Sequence, residues 1–160
     1  MKKLLIPSIF FVLLISFSFA QKPYKVVFYN LENFFDTIND PEVLDDEFTP
    51  DGPKKWNTAK YNKKLNNTER VLFDIAAIDK NYPIVIGVSE VETRGVLEDI
   101  VATPKLAPAN YRIAHFDSPE ARGVDVAFLY RPDVFKIEGQ YPVKTVIPSL
   151  PHFKTRDILT

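Results

Sequence analysis

The chain of 160 residues contains no cysteine. This absence excludes disulfide bonds, zinc sites built on thiolates, a cysteine nucleophile and a lipidated N-terminal cysteine. Histidine is also scarce, with only two residues in the whole chain. Any chemistry of this protein therefore has to draw mainly on carboxylates, amides and cationic side chains.

The sequence also lacks an excess of basic charge. Lysine and arginine number 20 against 21 acidic residues, which gives a net charge of −1 at pH 7. Without Lys2 and Lys3 of the N-terminal segment, the balance becomes 18 − 21 = −3. The overall field of such a chain does not attract polyanions. Phosphate chemistry would need a bound cation or a local cluster of charge.

The first 20 residues have the pattern of an export signal. Lys2 and Lys3 precede an apolar run from Leu4 to Phe19, and Ser18–Ala20 fits a small-residue cleavage site before Gln21. The alternative is an uncleaved anchor, but roughly 16 apolar residues are short of the about 20 needed to span a bilayer. We therefore expect a periplasmic or extracellular protein with no stable membrane insertion and a single domain over residues 21–160.

Hydrophobic periodicity predicts a layered α/β or α+β domain in which strands and helices alternate before a run of strands. Asn57 or Thr58 is the predicted cap of the first helix. The predicted elements are strand 24–29, loop 36–56, a helix from Thr58 to about Asp79, strand 84–88, helix 93–102, strands 111–116 and 124–130, a polar strand within 134–147 and a strand beginning at 157.

Polar side chains follow the first two predicted strands. Asn30 and Glu32 come just past the end of the first strand, and Glu90 comes just past the end of the second. If these strands are parallel neighbours, the three side chains meet at one edge, where α/β folds bind ligands. Their oxygens suit Mg²⁺, Mn²⁺ or Ca²⁺. On spacing alone, a solvated carboxylate that caps the next helix is the simpler interpretation of Glu90.

Other polar residues have structural interpretations that outweigh functional ones. His115 lies on a predicted strand and is expected to be a satisfied or half-exposed strand residue. Arg122 could reach a phosphate, although a surface arginine beside a glycine is the commoner case. The acidic run at residues 45–47 could be a second metal patch, and a solvated loop is the favoured interpretation. His152 has no assigned role.

Three motifs in order carry a resemblance to a known family. They are YNLENFF at 29–35, IVIGVSEVE at 84–92 and RGVDVAFLYRP at 122–132. Together they resemble the DNase I-like endonuclease/exonuclease/phosphatase superfamily, and DDEFTPDG with Trp56 resembles an exported bacterial subgroup. The resemblance implies two β-sheets packed face to face with helices outside, four layers in all, of which this chain supplies an N-terminal part.

The resemblance also implies roles for individual residues. Glu90 would be the main metal ligand, Asn30 would bind the scissile phosphate or a metal-bound water, and Glu32 would be a second metal-binding acid. Arg122 remains the candidate for a substrate phosphate. The implied protein is a monomeric, Mg²⁺- or Mn²⁺-dependent phosphodiester or phosphomonoester hydrolase, foremost a secreted nuclease acting on nucleic acid.

Two alternatives to a secreted nuclease stay open. One is an exported module that binds a metal or a partner without catalysis, and the other is a phosphodiesterase for phosphoinositide or sphingomyelin headgroups. The resemblance places the family's histidine–aspartate pair and Asp-x-Asn motif in the second half of the family domain, and we expect this sequence to end before them. We therefore expect the chain on its own to be truncated, marginally stable and weakly active or inactive.

Overall fold

A computed structural model describes residues 23–160, so the predicted signal peptide lies outside the described residues. A four-stranded sheet forms the centre of the domain in the order β1-β2-β4-β3. The pairing of β1 with β2 is parallel, as expected, and β4 runs antiparallel to both of its neighbours. The strands are β1 Val26–Phe34, β2 Val85–Val91, β3 Arg112–His115 and β4 Asp125–Tyr130.

Two helices, α1 (Thr58–Ala77) and α2 (Arg94–Ala102), cover one face of this sheet. Their apolar stripes pack on Ile86 and Val88 of the central strand β2, which is buried along most of its length. The helix predicted to reach about Asp79 ends at Ala77, and the side chain of Ile78 just beyond it is 82% exposed.

The opposite face of the sheet is only partly covered. Segment 134–160 carries the hairpin β5 (Pro142–Val143) and β6 (Ile158–Leu159), and a cavity of about 300 Å³ separates this segment from β4. The polar strand predicted within 134–147 shrinks to the two residues Pro142–Val143, which pair with Ile158–Leu159. At the β1 end of this face, Val26 and Phe28 are 68% and 70% exposed.

The predicted α/β class, with one larger and one smaller sheet and helices outside, is confirmed. Within residues 23–160, neither helix has the length and apolarity needed to cross a membrane.

The boundaries of β1 and β2 differ from the prediction where it matters most for function. Asn30 and Glu32 lie within β1 rather than past its end, and Glu90 lies within β2. Pairing breaks between Asn30↔Ser89 and Phe34↔Val91, so three residues of β1 oppose Glu90 alone. This is a β-bulge: both strands continue past the point where regular pairing stops, and their side chains change direction there.

The bulge forces left-handed backbone on both strands. The φ angles are +55° at Glu32, +59° at Asn33 and +61° at Glu90. Each such conformation costs on the order of 1–3 kcal/mol for a residue other than glycine and persists only where surrounding contacts hold it. The sheet therefore stores strain at the edge where the predicted site residues lie.

The start of α1 depends on a side-chain cap. Asn57 has extended backbone, and its Oδ1 accepts a hydrogen bond of 3.1 Å from the Lys60 N–H. We predict that Asn57→Ala lowers the free energy of unfolding by about 1 kcal/mol, measured by urea denaturation. Asn62→Ala, at an exposed position inside the same helix, should leave stability unchanged or raise it slightly because alanine is the better helix former. Equal losses in both variants would contradict a capping role.

Candidate functional site

Asn33 joins four parts of the chain at the bulge. Its backbone N–H donates to Oε2 of Glu90 at 3.1 Å, and its carbonyl accepts from Lys64 Nζ at 3.1 Å. Its side-chain Oδ1 accepts from Nη1 of Arg122 at 2.8 Å. One residue of β1 thus fixes a carboxylate from β2, an amine from α1 and a guanidinium from the loop before β4.

Lys64 holds the strained turn from the helix side. Its Nζ donates to the carbonyl oxygen of Glu32 at 2.6 Å as well as to that of Asn33, and it lies 5.3 Å from the ring centre of Phe34. Burial lowers the pKa of Lys64, while the carboxylates of Glu32 and Glu90 act in the opposite direction. The amine therefore bonds both carbonyls of the left-handed pair and brings positive charge to the edge.

Asn30, Glu32 and Glu90 lie at the same edge of the sheet. Asn30 pairs in register with Ser89, the neighbour of Glu90, and its Oδ1 accepts from the Glu32 N–H at 2.8 Å. Asn30 and Glu32 are exposed, and Glu90 is half-buried. Carboxylate and amide oxygens without thiolates are the donor set that Mg²⁺ and Mn²⁺ prefer. The residues present therefore fit a hard divalent cation.

Glu90 already faces cationic groups. Nη1 of Arg156, in the segment before β6, lies 3.7 Å from Oε1 of Glu90. This distance is long for an ion pair, and the other carboxylate oxygen accepts the Asn33 N–H. One oxygen of Glu90 thus has only a loose partner, which leaves it able to bind a cation.

Arg122 reaches the edge and is firmly held there. Glu120 accepts from Nε of Arg122 at 3.1 Å and from its backbone N–H at 2.9 Å, and the remaining contact goes to Asn33. The arginine side chain is 42% exposed. The structure thus gives Arg122 specific partners instead of the loose surface position that sequence alone favours.

A buried pair of acids lies next to this edge. Glu92 follows Glu90 by two residues, and its Oε2 accepts from the Asp36 N–H at 2.6 Å. Asp45 is 1% exposed, and its Oδ2 accepts from the Asp40 N–H at 2.9 Å. The solvated-loop interpretation is therefore wrong for Asp45, because the loop folds back on the domain and carries this carboxylate inside.

Glu92 and Asp45 face one another. The Oδ1 atom of Asp45 is buried and has no hydrogen-bond donor among the described residues. The pKa of Glu92 is raised to about 8, mainly by burial and in smaller part by the nearby carboxylates of Asp36 and Asp45. The hydrogen bond from the Asp36 N–H acts in the opposite direction. A protonated Glu92 can donate to Asp45, which satisfies both side chains.

A second group of potential metal ligands consists of His115, Asp117 and Asp125, whose ligand atoms lie within 4.8 Å of one another. The oxygens of Asp125 are already engaged: Oδ1 accepts from the N–H of Ser118 at 2.8 Å and from its hydroxyl, and Oδ2 lies 3.2 Å from Nε2 of His115. The side chain of His115 is 3% exposed. This histidine is the satisfied strand residue expected from the sequence.

Sequence reasoning identified Asn30, Glu32, Glu90 and Arg122 but missed two residues that hold them, Asn33 and Lys64. Asn33 had a usable signal, since asparagine tolerates left-handed backbone better than most residues and follows the motif's first asparagine. Lys64 had none, because an isolated lysine on a polar helix does not indicate which carbonyl it will meet.

One comparison with known proteins identifies a family. The model described as "Endonuclease/Exonuclease/phosphatase family" matches residues 25–160, which is nearly all of the described chain. Comparisons with curated proteins and with solved structures gave no significant match.

The left-handed backbone at Asn33 can be separated from its side-chain bond to Arg122 with two variants. Both Asn33→Ala and Asn33→Gly remove Oδ1, but only glycine adopts a φ of +59° without strain. We predict that the alanine variant is less stable than the glycine variant by about 1–2 kcal/mol, measured by urea denaturation. Equal stabilities would show that the turn is not strained at this residue.

The buried acid pair predicts a pH dependence of stability. The unfolded chain releases the Glu92 proton near pH 4.5, whereas the folded chain keeps it until about pH 8. The stability that protonated Glu92 adds to the folded state therefore falls as the pH rises from 4.5 to about 8, and it is absent at higher pH. The difference in melting temperature between Glu92→Gln and the parent should grow in favour of the variant from pH 4.5 to pH 8.

The control for this measurement is Glu98→Gln, which replaces an exposed glutamate of α2. Its melting temperature should differ from that of the parent by a similar amount at every pH. A constant difference for Glu92→Gln as well would contradict the assignment of a buried neutral carboxyl.

Proposed function

Because the chain belongs to the endonuclease/exonuclease/phosphatase family, we propose that it carries the metal site of a divalent-cation-dependent phosphodiesterase, foremost an exported nuclease. The observation that carries the proposal is the Asn33 N–H bond to the Glu90 carboxylate across the break between β1 and β2. It holds Glu90 at the edge that also carries Asn30.

The chain's own residues divide the work at this edge. Glu90, with Asn30 and Glu32 beside it, would hold Mg²⁺ or Mn²⁺, and Asn30 would also orient a phosphate oxygen. When bound, the cation would supply charge stabilisation for a phosphoryl group whose negative charge grows in the transition state. Arg122, which is bonded to Asn33 at 2.8 Å, would contact a non-bridging oxygen of the same phosphate.

The substrate is proposed to be a phosphodiester in nucleic acid. Export rests on the N-terminal sequence pattern, with a periplasmic or extracellular monomer as the expected product. A phosphoinositide or sphingomyelin headgroup presents the same phosphodiester chemistry, and fold alone does not choose among these substrates. The basic residues of α1, considered below, favour a polymer with several phosphates.

The metal-binding role of Glu90 is tested by titrating Mn²⁺ and following the free ion by electron paramagnetic resonance. Glu90→Gln keeps the side-chain shape and removes the charge, so we predict that Mn²⁺ affinity falls by at least about tenfold. Glu98→Gln, at the exposed position on α2, should leave the affinity unchanged. Equal affinities of parent and Glu90→Gln would overturn the assignment of Glu90 as the main ligand.

Turnover of plasmid DNA and of a small phosphodiester dye completes the test. The catalytic histidine–aspartate pair of the family is not identified in this sequence, so cleavage by residues 21–160 should be slow or undetectable. Any Mn²⁺-dependent cleavage should disappear in Glu90→Ala. Robust turnover would show that this pair is dispensable. Binding of Mn²⁺ without turnover of any phosphodiester would favour a non-catalytic module.

A further inference from the structure

Charge is strongly segregated in the first half of the mature chain. Residues 32–51 contain eight acidic residues and no basic one, whereas residues 52–68 contain five lysines and no acidic residue. A chain with a net charge of −1 thus carries a local charge of +5 over one turn and the first half of α1. This is the kind of local cluster that phosphate binding requires in a protein without an overall basic field.

Three of these lysines line one groove. A cavity of about 430 Å³ lies between β1 and α1, and its walls include Lys60, Lys63 and Lys64 with the aromatic side chains of Tyr29 and Trp56. The lysines follow one another at i, i+3 and i+4, so they share a face of the helix. Lysines interleaved with aromatic rings are the composition of grooves that hold single-stranded nucleic acid.

The groove begins at the candidate metal edge. Glu32 is one of its lining residues, and Lys64 in the same wall donates to the Glu32 carbonyl at 2.6 Å. Beside this residue the groove runs along α1 from Lys60 to Thr68. A strand bound at the edge can therefore continue into the groove without leaving the surface of the protein.

The lysines are not arranged to stabilise the helix they belong to. Like charges at i, i+3 and i, i+4 repel one another, and positive charge in the first turn opposes the helix dipole. Lys60 uses one of its three N–H donors on the Lys54 carbonyl, at 2.5 Å, which leaves the others able to bind an anion. An anionic ligand in the groove would offset this repulsion.

We propose that the groove lined by Lys60, Lys63, Lys64, Tyr29 and Trp56 binds the backbone of a single-stranded nucleic acid that leads away from the edge carrying Glu90. This inference rests on the proposed function for the role of that edge. The groove itself needs no metal and no turnover, so it can be tested separately from the hydrolase assignment.

The test uses the protein's single tryptophan, Trp56, as a reporter inside the groove. Fluorescein-labelled oligothymidylate is titrated by anisotropy in EDTA, and an unlabelled oligothymidylate is titrated by Trp56 emission. The parent should bind the oligonucleotide with a change in Trp56 emission, and the affinity should fall as salt rises. Absence of binding, or binding without an emission change, would overturn the proposal.

The decisive variant is Lys60→Gln with Lys63→Gln. Two lost phosphate contacts should lower the magnitude of the slope of log affinity against log salt by about 1.4, at about 0.7 per contact for a single strand. Lys60→Arg with Lys63→Arg should retain most of the slope. The charge-matched control is Lys80→Gln with Lys136→Gln, two exposed lysines outside the groove, and an equal loss in this control would show that only net charge matters.

Two further probes define the ligand. Inorganic phosphate should not change Trp56 emission at concentrations where the oligonucleotide saturates, and an equal effect would reduce the groove to a simple anion site. A duplex of the same length should bind more weakly than the single strand, since stacked bases cannot reach Tyr29 and Trp56. Equal or tighter duplex binding with the same salt slope would overturn the single-strand assignment.

Discussion

The hydrogen bond from the Asn33 N–H to the Glu90 carboxylate is the contact on which the proposed site depends. It crosses from β1 to β2 where the regular ladder has stopped, with three residues facing one. A regular parallel ladder would alternate side chains strictly above and below the sheet. The bulge instead brings a backbone donor of one strand to a side chain of the next and aims Glu90 at the edge.

This contact persists because several groups hold the strained backbone in place. Lys64 bonds the carbonyls of Glu32 and Asn33, and Arg122 bonds the Asn33 side chain. The helix and the loop that supply these groups are distant in sequence from β1, at separations of 31 to 89 residues. The geometry of the edge is thus a property of the folded domain and not of the motif around Asn30 alone.

Electrostatics around the edge are divided into three zones. Carboxylates at the edge can attract a cation, the neighbouring acids Glu92 and Asp45 are taken out of solvent, and the lysines of α1 line the adjoining groove. Because the net charge of the chain is −1, this local separation is what would allow the same surface to hold both the proposed cation and the proposed polyanion. The alternation of sign links the metal edge and the groove into one continuous surface.

Much of the fold could be predicted from the sequence. Apolar runs predicted both β1 and β2, and the three- and four-residue spacing from Tyr61 to Leu72 predicted α1, because these patterns report burial on one face. The bulge could not be predicted from periodicity, which carries no information on left-handed residues such as Glu32 and Glu90.

The same limit applies to the site. Side chains that follow a buried strand drew attention to Asn30 and Glu90, but the partners that hold them come from other elements. Asp45 illustrates the reverse error: an acidic run looks solvated, yet tertiary contacts carry one of its carboxylates to 1% exposure. Burial of a single charged residue depends on what faces it, which local sequence does not record.

The central claim is that Asn30 and Glu90 share one divalent cation. The most direct measurement is an anomalous difference map from crystals of the protein grown or soaked with Mn²⁺. The account predicts a peak about 2–2.6 Å from both the Asn30 Oδ1 and a Glu90 carboxylate oxygen. A peak among His115, Asp117 and Asp125, with none at the β1–β2 edge, would contradict it.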